Sequence, residues 1–171
     1  TNCHKISFSA PLTDVFSYYG EITVGKEANK ISVQLARAVA KIQLNIKDDI
    51  PANVSFFNFI YKGASVSFDP TTKVGLASST RRNMEIEKVE GVKTFELYTF
   101  VTGADQLVDL DVAGYSEAKD VVGAKKFPGI SVELRKVSKI DSPVFDGVIE
   151  GPTDISVILD DTWDGVIDYT F

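Results

Sequence analysis

The chain has 171 residues, enough for one domain or one domain and part of another, and a chain of this length buries roughly 70% of its unfolded surface. Its formal net charge of −6, with no dense basic patch, argues against a nucleic-acid partner. A single cysteine, Cys3, excludes an internal disulfide, and no apolar run approaches the roughly 20 residues of a membrane-spanning helix.

The chain opens on TNCHK, without methionine, and is read as a trimmed or processed start. Cys3 there reads as a free thiol near a frayed end. Period-two alternation then dominates the sequence. KISFSAP sets Ile6, Phe8 and Ala10 on one face of a strand. A polar stretch, GKEANK, separates residues 1–29 from the rest. This divides the chain into N-terminal strands over 1–29, the remnant of an upstream domain or an assembly arm, and a β-sandwich domain over 30–171.

ISVQLARAVAKIQLNI, residues 31–46, reads two ways. As a helix it stripes Leu35, Val39, Ile42 and Ile46 on one face, but strands Val33 and Leu44 opposite, beside Arg37. As a strand it sets Ile31, Val33 and Leu35 on one face, then Ala40, Ile42, Leu44 and Ile46 on another, out of register by one residue. Helix propensities differ by a few tenths of a kcal/mol, roughly, whereas burying a Leu or Val is worth about 1.5–3 kcal/mol. Burial wins. The stretch is one long strand, or two, with a bend in ARAVA where the chain passes between sheets. Arg37 sits in that bend and must lie at an edge or pair with a carboxylate or backbone carbonyls.

VSFFNFIY is an aromatic strand, which Lys62-Gly63 turns into ASVSF as a hairpin. DPTTK is a proline-containing turn. TFELYTFV alternates Phe95, Leu97, Thr99 and Val101 against Glu96, Tyr98 and Phe100. LVDLDVAGY, GISVELRKV, SPVFDGVI, TDISVIL and GVIDYTF complete the strands, and SEAKDVV is the one further helical candidate. Many short strands with frequent turns predict an all-β sandwich or barrel with few short helices.

Catalytic motifs are scarce. The one histidine, His4, adjoins Cys3, and a neighbouring pair is not a site. Cys and His are too few for a zinc site built from them. SEAK matches S-x-x-K without its companion motifs, and the glycines form neither a dinucleotide fingerprint nor a P-loop. Within DDTWDG, Asp160 and Asp164 fall at positions one and five of a calcium loop, but Phe171 stands where a Glu is required. A polar turn before the last strand is the simpler reading. NVS (Asn53 to Ser55) matches a glycosylation sequon and LDV (Leu110 to Val112) a short integrin-binding motif; both arise commonly by chance, and Leu110 and Val112 are expected to point into the core. The expectation is a non-enzymatic protein with no cofactor.

VQLARAVAKIQLNI resembles the Leu-x-Arg-x-x-Ala-Lys-Ile strand of the Bacteroidetes fimbrillins, through Leu35, Arg37, Ala40, Lys41 and Ile42. DVFSYYG upstream, and FELYTFV, VFDGVI and ISVILDDTWDG downstream, resemble neighbouring segments in the same order, from about Asp14 to the C-terminus. The resemblance implies a transthyretin-like β-sandwich of mostly antiparallel strands. It implies export to the cell surface, outer membrane or fimbrium, membrane contact only through a lipid anchor absent from this chain, and a role as fimbrial subunit, anchor or tip-like component in adhesion. Partners would be other fimbrial subunits, or copies of itself, joined by β-strand addition, together with host or bacterial surface ligands. The terminal strands are the candidates for exchange: Ile6 and Phe8 at one end, Ile167, Tyr169 and Phe171 at the other. The alternative is a carbohydrate- or ligand-binding sandwich, which predicts exposed aromatics drawn from Tyr18, Tyr19, Tyr61 and Trp163. An enzyme would instead need a cleft with convergent carboxylates.

Overall fold

The computed structural model describes residues 5–9, 11–21, 32–77 and 82–146, with the backbone of three short strand segments beyond them. The described residues contain strands and no helix. In chain order the strands are β1 (Ile6–Ser7), β2 (Phe16–Ser17), β3 (Ala36–Arg37), β4 (Val39–Ile46) and β5 (Phe56–Lys62). There follow β6 (Ser67–Asp69), β7 (Val74–Gly75), β8 (Arg82–Glu87), β9 (Thr94–Phe100) and β10 (Leu107–Tyr115). The last are β11 (Val121–Ser131), β12 (Lys136–Ser142), β13 (Asp154–Ile155), β14 (Gly165–Val166) and β15 (Tyr169–Thr170).

Two four-stranded sheets supply the walls of a β-sandwich. The first runs β11-β10-β5-β8 and is antiparallel throughout. The second runs β14-β12-β4-β9; β4 is antiparallel to β9 but parallel to β12, which is parallel to β14. Alternation explains the core between them. Ala40, Ile42, Leu44 and Ile46 of β4 are buried with Phe57 and Phe59 of β5, Phe95 and Leu97 of β9, and Val108, Leu110 and Val112 of β10. The inward placing of Leu110 and Val112 is borne out. Phe95 bridges the layers, its ring 4.7 Å from Phe57 and 5.0 Å from Phe59. A second, smaller cluster gathers Leu12, Ala38, Val39, Val66, Phe68 and Phe100 where β1, β6 and β7 form a three-stranded sheet.

The opening ambiguity resolves as strand. β3 pairs with β2, and β4 with β9 and β12, so the chain changes sheets at Ala38. The one-residue phase change is visible in the packing: Ala38 and Val39 enter the small cluster, whereas Ala40 begins the main core. Residues 32–35, however, are not strand. Val33 and Leu35 are exposed, at 48% and 58%, so the predicted common face of Ile31, Val33 and Leu35 does not form; Ile31 lies outside the described residues. Alternation says which side a residue takes, not whether another layer covers that side.

Other expectations need correcting. The predicted short helix SEAKDVV is a turn feeding β11: the Asp120 N–H donates to Ser116 Oγ, Lys119 takes φ +68°, and Val121 already belongs to the strand. Gly63 does turn the chain, at φ +80°, but β5 and β6 are not a hairpin. Both edges of β5 are occupied, by β8 and β10, so the chain crosses instead, through a bridge between Ser65 and Phe100. GISVELRKV is not one strand; β11 ends at Ser131 and Arg135, at φ +63°, turns into β12. SPVFDGVI begins where β12 stops. DPTTK is the expected turn, with Asp69 Oδ1 accepting from both the backbone N–H and the hydroxyl of Thr71.

One arrangement had no counterpart in the sequence reading. Asp48, buried just past β4, accepts backbone N–H bonds from Val144, Phe145 and Asp146. These fix the chain after β12. Phe145 then lies over Gly114 and Gly123, which face each other in the β10–β11 ladder, and a Cβ at either glycine would fall within 2.8 Å of its ring.

Candidate functional site

The family-like strand residues divide by location. Ala40 and Ile42 are core, 0% and 2% exposed. Leu35 is a surface residue just before β3. Arg37 meets Asp14 in a two-pronged ion pair, Nε to Oδ1 at 2.8 Å and Nη2 to Oδ2 at 2.7 Å. Its guanidinium also sits 4.9 Å from the centre of the Phe16 ring. The expected carboxylate partner is therefore present. The pair fastens residues 14–16 to the bend, beside a backbone bond from Ala38 N–H to the Val15 carbonyl. Arg37→Ala is expected to lower stability by about 1–3 kcal/mol in urea unfolding, because a bidentate charged bond is lost and Asp14 keeps its desolvation cost. Lys at 37 restores charge without the fork and recovers less than half of that.

Lys41 is buried although it faces outward, and it donates to Glu96 Oε1 at 3.0 Å. The Tyr98 hydroxyl donates to Glu96 Oε2 at 2.7 Å. Burial pushes the Glu96 carboxyl upward, but the bonds from Tyr98 and Lys41 and the Lys41 charge outweigh it and hold it below its ordinary range. Asp141 behaves alike: burial raises it, and bonds from Asn45 and Lys47 bring it lower still. A carboxyl depressed in the folded state contributes stability above the unfolded pKa of about 4, and loses it as pH falls through the folded value. Unfolding free energy is therefore expected to be level near neutrality with respect to these groups and to fall below about pH 4.5. Glu96→Gln should flatten part of that descent in urea titrations run at successive pH values.

Next to Arg37 a cleft of about 280 Å³ opens between the ends of β2 and β3 and the turn before β12. Its lining includes Ser17, Tyr18, Tyr19, Arg37, Lys73 and Arg135. Tyr18 and Tyr19 are 46% and 52% exposed. Phe16, Val33 and Leu35, on the same two segments of chain, are also exposed. Of the aromatics expected at a ligand-binding rim, Tyr18 and Tyr19 are thus at the surface. Tyr61 is not; at 4% exposure it faces the core from β5, because it continues the inward series of Phe57 and Phe59. Trp163 lies outside the described residues. Sequence reasoning missed Lys73 and Arg135. Each sits in a turn far along the chain, and only the fold brings them to Arg37.

The terminal strands differ in what can be described. Ile6 pairs with Phe68 and is 41% exposed; the Phe8 N–H donates to the Val66 carbonyl, and its ring packs 5.6 Å from Phe100. Tyr169 pairs with Ile155 in the backbone of β15 and β13. Ile167, Phe171, Asp160, Asp164, Cys3 and His4 lie outside the described residues. Among those described, no three His, Cys, Asp or Glu side chains group as metal ligands, and no helix is long and apolar enough to cross a membrane.

The family of fimbrillin-A associated anchor proteins Mfa1 and Mfa2 matches residues 4–141. The chain belongs to this anchor-protein family. The match takes in Leu35, Arg37, Ala40, Lys41 and Ile42 and reaches nearer the N-terminus than Asp14, but ends before VFDGVI and ISVILDDTWDG. Membership in the fimbrillin-associated family implies a cell-surface location. Two solved structures are similar in part, both from Bacteroides ovatus. One is a candidate adhesin, 14% identical, with a TM-score of 0.43 over 63% of this chain and 44% of that one. The other is a candidate cell-adhesion protein, 19% identical, with a TM-score of 0.46 over 68% of this chain and 48% of that one. The chain thus spans just under half the length of each. No curated protein matches it.

Proposed function

We propose that the chain is a non-enzymatic structural component of a surface fimbria, an anchor or tip-like part, and that it joins other fimbrial subunits by β-strand addition. The observation that carries the reading is the family match over residues 4–141. Strand addition draws support from the N-terminal edge. β1 is two residues long, lies at the margin of a three-stranded sheet, and leaves Ile6 partly exposed. So short a strand contributes few ladder bonds, and a neighbouring chain's strand offers the same backbone donors and acceptors. At the opposite end, β14 lies parallel along β12 through only Lys136 and Val137.

The test is a pair of deletions, residues 1–9 and residues 166–171, each followed by unfolding and by sedimentation with purified fimbrial subunits. A chain that folds but no longer co-assembles identifies the deleted strand as the exchanged one. If both deletions fold and still co-assemble fully, strand addition through the termini is wrong. Loss of folding in both would place the two strands within the sandwich itself.

A further inference from the structure

We propose that the cleft beside Arg37 is a binding site for a sugar that carries a carboxylate, presented at the end of a surface glycan. Four observations converge on that chemistry. The first is charge. The protein is acidic overall, at −6, yet Arg37, Lys73 and Arg135 all line this cleft and no carboxylate among the described residues does. Asp14 binds Arg37 through the fork described above, and Glu133, at a neighbouring shallow depression, is paired with Lys136. Lys73 therefore adds cationic character to the cleft beside the two guanidinium groups, and an anion gains there.

The second is shape. At about 280 Å³ the cleft lies near the lower end of the ~300–1,000 Å³ typical of small-molecule sites, a size for a sugar residue and not for a folded partner. The third is the wall. Tyr18 and Tyr19 are half-exposed rings, which suit the apolar face of a pyranose, and their hydroxyls and Ser17 Oγ suit its hydroxyl groups. The fourth is preorganisation. Arg37 is oriented by Asp14, and its own carbonyl accepts from Arg135 Nε at 3.4 Å, so two of the cations are held in relation to one another before any ligand arrives. Gly20 contributes as well: a Cβ there would collide with the Tyr18 ring as it now lies.

The experiment titrates the full 171-residue chain with methyl α-sialoside and methyl β-glucuronide, with methyl β-galactoside as the neutral comparison, by ligand-observed NMR. A short peptide with a free C-terminal carboxylate is the fourth probe. At least one acidic sugar should bind about tenfold more tightly than the galactoside and more tightly than the peptide, and added salt should weaken it. Lys73→Asn removes the charge while tolerating the left-handed backbone at φ +59°, and Tyr19→Ala removes one wall. Each should weaken the acidic sugar about tenfold and leave the unfolding midpoint unchanged. Equal binding of acidic and neutral sugars, no binding of any sugar at about 10 mM, tighter binding of the peptide, or unaltered binding by both variants would overturn the proposal.

Discussion

Phe57→Ala should cost about 3–5 kcal/mol, a large part of the roughly 5–15 kcal/mol that holds a domain of this kind folded. Phe57 has no exposed surface, and its ring touches both layers. Phe59 beside it on β5 is 6.2 Å away, Phe95 on β9 of the other sheet 4.7 Å, and Phe145 after β12 6.1 Å. Removing the ring withdraws transfer free energy and leaves a cavity that three stiff neighbours cannot close. Phe57→Leu refills most of the volume and should cost less than half as much. Urea unfolding measures both, with the slope unchanged and the midpoint shifted. A loss under about 1 kcal/mol for the alanine variant would mean that the two sheets do not pack through this ring.

Asp48→Ala should be the second most damaging change, at about 2–4 kcal/mol, although it removes only a carboxylate from a polar KDD run. The side chain collects three backbone N–H groups from residues 144–146, two of them on buried or half-buried residues. Without an acceptor those donors lose their partners, and water reaches only the more exposed Asp146. Phe145 then loses the bonds that press it onto Gly114 and Gly123. Asp48→Asn keeps one acceptor oxygen and turns an amide donor toward other donors, so it should fall between the two. Hydrogen exchange separates this effect from that of Phe57. The Val144 and Phe145 amides should lose protection first in Asp48→Ala, while the β4 and β10 amides keep theirs. Uniform loss across the sandwich would show that Asp48 supports the whole core and not one segment.

The sequence carried the inward and outward sides of β4, β9 and β10 because over most of their length each strand has its main core layer on one side, and period-two alternation records that directly; where the second cluster covers Val39 and Phe100, both sides are buried. It also carried the sheet change at ARAVA, where small residues and a phase shift coincide. What it lacked was pairing. β4 runs parallel to β12 across almost a hundred intervening residues, and nothing local encodes that choice. The same gap produced the false hairpin at Gly63: the turn was legible, but not that β8 and β10 already held both edges of β5. It hid Asp48, whose partners are distant in the chain and are backbone groups, without side-chain identity to reveal them. It hid the cleft too, since Tyr18 and Tyr19 were legible as candidate surface aromatics while Lys73 and Arg135 looked like ordinary turn residues. Val33 and Leu35 erred the other way: their alternation was real, but no layer covers them.

Immunogold labelling of this chain on the source cells, with a strain deleted for it as control, tests its place in a surface fimbria most directly. Gold should lie on the cell surface, on or at the base of fimbriae, and the deletion strain should show fewer, longer or detached fimbriae. Label confined to the cell interior, with fimbriae unchanged in number, length and attachment, would contradict that place.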